Sequence, residues 1–362
     1  MFGTTERRHE VGQKLADVRA LLVRRGLPAV VLRDTGSVAW VTGGLTNRIE
    51  AGNPASAAWV VVTPSEAHVV TTNVELPRLA AEGDLDAFEL HGVDWYEHDG
   101  FERYAEQFAA VEVDDDLVEL RLSLGPEEQG RLAALALEAT DALEAALRSW
   151  APGEFDREIQ ARVAAALEQA GAFGACLIVG GDDRVERFRH PLAAGLPVHR
   201  LVMAVVVAER NGLHAAATRF ASVGPLPAGV RAARRAAAAV EQAVLDASRP
   251  GATYGEALAA LAGAYAGAGY PGEWRDHFQG GPIGYRQREF EIVPSQVESR
   301  WFTTPIAPGT ALAWNPSVAG GGKCEDTYLV EATGPQRLTD SGEWPLEEGR
   351  PAVLDIGTGE AA

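Results

Sequence analysis

Cysteines, basic residues and long apolar runs are all scarce in this sequence, and each scarcity excludes a class of protein. The two cysteines, Cys176 and Cys324, cannot build a disulfide framework and lack the spacing of a zinc site. The longest fully apolar run, residues 201–208, is too short to span a bilayer. The net charge of −19 disfavours nucleic acids and anionic membrane surfaces as partners. Because residues 5–10 are mostly charged, unlike the apolar core of a signal peptide, we expect a cytoplasmic protein.

The remaining composition is that of a globular protein with more than one domain. Hydrophobic residues make up 46% and charged residues 23% of the 362 positions, and a chain of this length usually divides into two cores. We expect an α/β domain over residues 8–117, a larger domain over 118–340 and a C-terminal tail over 341–362. The tail is rich in Gly, Pro and Glu, which predicts a segment that crosses the surface or is disordered.

Helix and strand patterns alternate in the first domain. An amphipathic helix over residues 11–25 is followed by short apolar runs that are typical of buried strands. The predicted strands cover residues 29–33, 39–42, 58–63 and 68–72.

The second domain contains one passage twice, around Gly153 and around Gly251. Each time a long helix stops at Pro-Gly and an Ala-rich helix follows, because proline cannot continue a helix and glycine lets the backbone turn. Two unrelated Ala-rich helix pairs would look similar. Strands are also predicted after each pair, however, over residues 177–181, 202–208, 310–315 and 326–331. We therefore predict a domain of two similar halves with a cleft where they meet.

Short motifs then follow one another in a recognisable order: His190-Pro191, Thr218-Arg219, Gly280-Gly-Pro-Ile-Gly284, Asn315-Pro316 and Glu325-Asp326. In this order they resemble the creatinase/prolidase/aminopeptidase P family, and residues 35–43 resemble a strand of that family's N-terminal domain. The resemblance implies an α/β (α+β) architecture. A creatinase-like N-terminal α/β domain would precede a pita-bread domain with a pseudo-twofold axis and a curved antiparallel sheet. It also implies a homodimer.

The resemblance further implies where metal ligands would lie. Peptidases of the family hold two divalent metals with two Asp, one His and two Glu, and the metals activate a bridging hydroxide. The corresponding positions here are Val205, Ala216, Gly281, Asn315 and Glu325. Only Glu325 keeps a carboxylate. We therefore predict no metal and no other cofactor. In lacking metal ligands, the chain most resembles creatinase, a member of the family without metals.

Three residues are predicted to be catalytic by the same resemblance. His190 lies where creatinase uses a histidine to move a proton while a C–N bond is split, and histidine suits proton transfer at neutral pH. His277 matches a second cleft histidine, and Glu325 would orient a histidine or pair with Lys323. The alternative for His190 is a structural histidine beside a proline turn, and for His277 a residue at a helix end.

Four residues are predicted to bind the substrate. Arg288 lies where creatinase has an arginine that grips the substrate carboxylate, and a guanidinium can bind a carboxylate through two parallel hydrogen bonds. A surface pair of Arg288 with Glu289 is the alternative. Asn315, Tyr285 and Trp314 are the other candidates, and Trp314 would line the pocket beside Asn315.

Three functions are compatible with these residues. The first is a metal-independent creatinase-like enzyme, a hydrolase or lyase, that cleaves a C–N or related bond of a small carboxylate-bearing substrate through His190. The second is an inactive pita-bread domain that binds a peptide or protein partner. The third is an Xaa-Pro-type aminopeptidase with an atypical site. Charged residues retained inside a cleft favour the first, because a pure scaffold has no need of them.

Overall fold

The computed structural model describes residues 4–50, 55–292 and 299–357 of the chain. Its contacts divide the chain into two compact units, Met1–Glu127 with Asn211–Leu213 and Glu128–Arg210 with His214–Ala362. Within the described ranges, none of the helices combines the length and the apolar character needed to cross a bilayer.

The first unit is built around a five-stranded mixed sheet. The strand order is β4-β3-β2-β1-β5, with β2 antiparallel to both of its neighbours and β4 parallel to β3 at the sheet edge. Its elements are α1 (Thr4–Arg25), β1 (Ala29–Asp34), α2 (Thr35–Val41), β2 (Ala55–Val62), β3 (Ala67–Thr72), α3 (Leu76–Glu82), β4 (Glu89–Val93), α4 (Gly100–Glu106), β5 (Ala110–Val111) and α5 (Asp114–Arg121).

The strand predicted over residues 39–42 is wrong, because residues 39–41 belong to helix α2 and Thr42 is its C-cap. Asp34 caps the helix: its Oδ1 accepts hydrogen bonds from the backbone N–H groups of Gly36 and Ser37, both at 3.1 Å. The run from Val38 to Val41 is buried on every side. A short segment without a polar face has no periodicity that separates helix from strand, so its apolar character was misleading.

The second unit contains two four-stranded sheets and the remaining helices, as expected for the pita-bread domain that the motifs resemble. Its helices are α6 (Pro126–Arg148), α7 (Asp156–Gln169), α8 (Asp183–Arg187), α9 (Ala228–Ala247), α10 (Tyr254–Gly267) and α11 (Arg300–Thr303), with a 3₁₀ helix over Glu273–Asp276. Its strands are β6 (Glu154–Phe155), β7 (Phe173–Gly181), β8 (Pro197–Val198), β9 (Leu201–Arg210), β10 (Leu213–Ser222), β11 (Gly280–Pro282), β12 (Ala311–Trp314), β13 (Ser317–Val318), β14 (Gly322–Lys323), β15 (Tyr328–Glu331), β16 (Gly334–Arg337), β17 (Leu346–Glu347), β18 (Arg350–Pro351) and β19 (Val353–Asp355).

The two Pro-Gly turns have the same local structure. Gly153 and Gly251 have φ values of 93° and 89°, a conformation that favours glycine, and the N–H of each donates to a carbonyl of a later segment. Glu158 and Glu256 then accept a hydrogen bond from the N–H three residues earlier, at 3.0 and 2.8 Å. Equal turns, caps and following helices support the predicted repeat.

The two half-sheets of this unit meet along β10. One sheet has the order β19-β10-β9-β7 and the other β11-β12-β15-β16. The backbone N–H of His214 donates to the carbonyl of Gly284, and that of Thr218 to the carbonyl of Glu325, both at 2.8 Å. These bonds bring the motifs of the second half beside β10.

The described part of the predicted tail, residues 341–357, runs over the surface, as its composition predicts, but it contains strands; residues 358–362 lie outside the described residues. Strand β19 pairs in parallel with β10, with Val353 opposite Phe220 and Asp355 opposite Ser222. Trp344 is buried, and its indole N–H donates to the carbonyl of Ala352 at 2.9 Å. Pairing with a free strand edge outweighs the low local propensity of a Gly/Pro-rich segment.

Candidate active site

A buried carboxylate and two cations meet where the half-sheets join. Glu325, only 2% exposed, lies just before β15. Its Oε1 accepts a hydrogen bond from Arg288 Nη2 at 3.3 Å, and its Oε2 lies 3.8 Å from Lys323 Nζ. Thr218 Oγ1 on β10 donates to Oε2 at 3.4 Å. Glu325 thus belongs to an ion cluster, and Arg288 pairs with it.

Lys323 is the most deeply buried cation of this cluster. It ends β14, where Gly322 lets the strand pack directly on α9: a Cβ at 322 would meet the carbonyl oxygen of Ala233 at 2.3 Å. The Lys323 ammonium donates a hydrogen bond to Asn315 Oδ1, and Asn315 follows β12. The lysine therefore lies between the positions at which the family resemblance places two glutamate ligands.

The charges of the cluster oppose one another. Burial lowers the pKa of Lys323, Glu325 partly compensates by raising it, and Arg288 lowers it again. Burial likewise raises the pKa of Glu291, which Arg288 partly offsets. Two cations thus contact the buried Glu325 carboxylate, with Glu291 as a second carboxylate beside Arg288. The partly exposed Arg288 is the cation that an anionic ligand can reach.

The two candidate histidines form a pair. His190 Nε2 lies 3.0 Å from His277 Nε2, with the ring centroids 4.9 Å apart. Burial, together with the charges of Lys323 and His190, lowers the pKa of His277 to about 2. Burial and Lys323 also lower the pKa of His190, against an opposing effect of Glu325. Both rings are therefore neutral at pH 7, and Lys323 acts electrostatically on each.

The segment before His190 is anchored firmly. Arg189 donates to the carbonyl of Ser317 at 2.6 Å and to Glu273 Oε1 at 2.8 Å, which links β13 to the 3₁₀ helix. On the other side of His190, Pro191 packs on Gly180, where a Cβ would meet the proline oxygen at 2.4 Å. His190 itself is exposed. It is therefore an accessible imidazole on a fixed backbone, unlike the structural histidine that was the alternative.

The residues at the five metal-ligand positions do not fit a pair of divalent ions. Val205 packs in a core cluster, and Ala216 is fully buried with no donor atom on its side chain. Gly281 has no side chain at all. The remaining donors, Asn315 and Glu325, are engaged by Lys323 and Arg288. A site that already holds two positive side chains and one carboxylate repels further cations rather than binding them.

Two predicted substrate-binding residues point elsewhere. Tyr285 is buried, and its hydroxyl donates to Glu128 Oε1 at 2.7 Å on helix α6. Trp314 is fully buried, and its indole N–H donates to Ser248 Oγ at 3.0 Å. Trp314 and Asn315 are successive residues, so their side chains project from opposite faces of the strand. The structure therefore does not bring Tyr285 and Trp314 to the ion cluster.

Lys323 is the site residue that sequence reasoning missed, since it was considered only as a partner of Glu325. A better signal was available: a lysine two residues before the retained glutamate lies on the same face of an extended chain. Cys324 lies between them, and burial raises the pKa of its thiol to about 11. That thiol is not activated as a nucleophile.

Comparison with known proteins gives the family. Residues 128–332, more than half of the chain, match the model of metallopeptidase family M24. The chain belongs to metallopeptidase family M24. This membership confirms the resemblance and the pita-bread fold predicted from the motifs. No functionally curated protein matches the chain in sequence.

Solved M24-like structures share the fold over nearly the whole chain. The dipeptidase PepE from Mycobacterium ulcerans is 21% identical with a TM-score of 0.74, covering 98% of both chains. The prolidase from Pyrococcus horikoshii OT3 is 18% identical with a TM-score of 0.72, covering 91% of this chain and 98% of its own. The Xaa-Pro dipeptidase from Bacillus anthracis is also 18% identical with a TM-score of 0.72, covering 96% and 100%. At these identities the likeness shows the fold alone.

Proposed function

We propose that this M24 protein is a metal-independent hydrolase that cleaves a C–N bond in a small substrate bearing a carboxylate. The observation that carries the proposal is the position of Lys323, whose buried ammonium contacts Asn315 and Glu325 at two former ligand positions. In the proposal, fixed cationic side chains provide the positive charge that metals provide in the family's peptidases.

Recognition of the carboxylate is assigned to Arg288. Its guanidinium is partly exposed; Nη2 donates to Glu325 at 3.3 Å, and Nη1 donates to the backbone carbonyl of Gln287 at 2.7 Å. Since a guanidinium has five N–H donors, others can still bind a carboxylate. Lys323 lies beyond Glu325 and would stabilise negative charge that develops on the substrate.

Proton transfer is assigned to His190. A neutral imidazole can take a proton from water, and the lowered pKa of His190 keeps it neutral at pH 7. His277, held neutral by burial, would orient the ring through the contact between the two Nε2 atoms. It acts as a positioning residue.

The chemical step balances without an added reactant. Water attacks the carbon of the C–N bond while His190 accepts one of its protons. When the C–N bond breaks, the protonated His190 returns that proton to the leaving nitrogen. The products are an acid, or its equivalent, and an amine, and the enzyme regains its neutral histidine.

A substrate screen in the presence of a chelator tests the proposal. The panel should contain N-carbamimidoyl and N-acyl amino acids beside Xaa-Pro dipeptides, with the amine product as readout. Turnover that survives the chelator supports a metal-independent enzyme. Turnover of Xaa-Pro dipeptides that requires added Mn²⁺, Co²⁺ or Zn²⁺ would instead support an atypical aminopeptidase, which the prolidase-like relatives favour. If a compound binds but is turned over neither with the chelator nor with added metal, the protein is instead an inactive domain that binds a partner.

Two substitutions separate the proposed roles. His190→Ala should lower kcat by about 10²–10⁴-fold with little change in KM, because it removes the proton carrier. Arg288→Ala should mainly raise KM. The exposed His199, which lies in the same unit, provides a control: His199→Ala should match the parent.

Because the pKa of His190 is lowered, activity should fall on acidification with a midpoint below pH 6.5. Equal activity of His190→Ala and the parent would remove the proposed mechanism.

A further inference from the structure

A second group of chemically active side chains lies in the first unit, on strands β3 and β4. These strands are parallel, with His68 opposite Glu89 and Val70 opposite His91. Residues in register on parallel strands project from the same face, as do residues two apart on one strand. His68, Glu89 and His91 therefore share one face at the edge of the five-stranded sheet.

The donor atoms of these three residues form a small triangle. His68 Nδ1 lies 3.2 Å from His91 Nε2 and 3.6 Å from Glu89 Oε2, and His91 Nε2 lies 3.7 Å from the same oxygen. Zinc bonds to nitrogen and oxygen of about 2.0–2.1 Å at tetrahedral angles place such donors roughly 3.3–3.4 Å apart. The triangle is close to that size before any ion is bound.

The surroundings orient the two rings. On the far side of His68, Nε2 lies 3.5 Å from Glu66 Oε2 without a hydrogen bond between them. A carboxylate on this side of the ring favours presentation of the other ring nitrogen to a metal. The rings of Phe108 and Tyr104 lie with centroids 4.7 Å from those of His68 and His91, respectively. His68 is buried, so the packing around it fixes the orientation of its ring.

A hydrogen bond between the two histidines does not account for the position of Glu89. Such a bond needs no third group, yet Glu89 Oε2 approaches both ring nitrogens although the Glu89 side chain is 63% exposed. Two imidazoles and a carboxylate are a donor set that zinc prefers.

We propose that His68 Nδ1, His91 Nε2 and Glu89 bind one Zn²⁺, with water at the fourth position. The ion would tie the edge strand β4 to β3. This site lies in the first unit and is independent of the ion cluster around Lys323 and of the function proposed for it.

Zinc retention by the full-length protein tests this site. The protein is stripped with a chelator, reloaded with Zn²⁺, passed through gel filtration and analysed for metal. The parent should retain about one zinc per chain. His91→Ala should weaken zinc binding by at least about 100-fold, and Glu66→Gln, which alters only the orienting carboxylate, by about 10-fold. In the parent, Co²⁺ should give the visible absorption of a four-coordinate ion, and His91→Ala should abolish it.

His98→Ala is the matched control, because His98 is an exposed histidine of the same unit. It should retain zinc like the parent. His91 and Glu89 are preferred for substitution over the buried His68, whose loss would disturb folding, and circular dichroism checks that each variant is folded. If the parent retains no zinc, or if folded His91→Ala retains as much as His98→Ala, the proposal is wrong.

Discussion

Glu325 and Asp326 are neighbours in sequence, both are buried, and each belongs to an ion cluster, yet the two clusters differ in composition. Asp326 Oδ1 accepts hydrogen bonds from Arg219 Nη1 at 2.8 Å and from Thr339 Oγ1 at 2.7 Å. Arg219 also donates to Glu144 at 3.0 Å and to the carbonyl of Thr339 at 2.7 Å. One cation is thus enclosed by two carboxylates.

The cluster around Glu325 instead has Arg288 and Lys323 on one carboxylate, with Glu291 beside Arg288. In the first cluster, Arg148 Nη2 also lies 3.6 Å from Glu144 Oε2. Burial acts against the charge of Arg219, but its carboxylate contacts raise its pKa. For Lys323 the effect of burial exceeds the opposing effect of Glu325, and the pKa of the lysine is lowered. The comparison teaches that two equally buried ion clusters can differ in how burial and neighbouring charges balance: the balance favours the charged form of Arg219 and disfavours that of Lys323. Only the second cluster is proposed to be reactive.

The largest effect expected from this comparison is on stability. Arg219→Ala should lower the free energy of unfolding by about 3–5 kcal/mol, because it leaves Asp326 buried without its cation and Glu144 with only the more distant Arg148. Chemical denaturation measures the loss. Arg187→Ala, which breaks an exposed pair with Asp183, is the control and should change stability by less than about 0.5 kcal/mol. A similar small change for Arg219→Ala would show that the first cluster is not structural.

Lys323→Met should separate stability from activity. Activity in the assay above should fall by about 10²–10³-fold, because a fixed positive charge at the reacting centre is lost. Stability should change less than in Arg219→Ala, since methionine fills the space of the lysine stem and Arg288 still pairs with Glu325. If Lys323→Met is instead as destabilised as Arg219→Ala, the two clusters play the same structural role and the distinction drawn here fails.

The smallest effect concerns acid stability and His277. Its folded pKa is about 2, whereas the unfolded chain binds a proton near the ordinary value of 6.5. The contribution of the neutral ring is therefore complete above pH 6.5 and is lost as the pH falls below it, by at most about 1.4 kcal/mol per pH unit. His277→Gln should flatten this decline between pH 6.5 and 4.5 in denaturation experiments. Identical slopes for both proteins would contradict the burial argument.

The fold was predictable where local signals were strong. The Pro-Gly turns, the helices after them and the long buried strands β9 and β10 follow from residue types that act within a few positions. Prediction failed at helix α2 and at strand β19. In the first case a fully buried segment had no periodicity, and in the second a Gly/Pro-rich segment was held by pairing with β10.

The absence of the peptidase metal ligands was a property of the sequence by itself, because Val205, Ala216 and Gly281 have no side-chain donor in any conformation. The motif order likewise determined the family. Which charges meet was decided only by the tertiary structure. Arg288 reaches Glu325 through packing of two loop segments, and His68 reaches His91 through the register of two strands. Local sequence cannot encode a distance of a few ångströms between segments that only packing and strand pairing bring together.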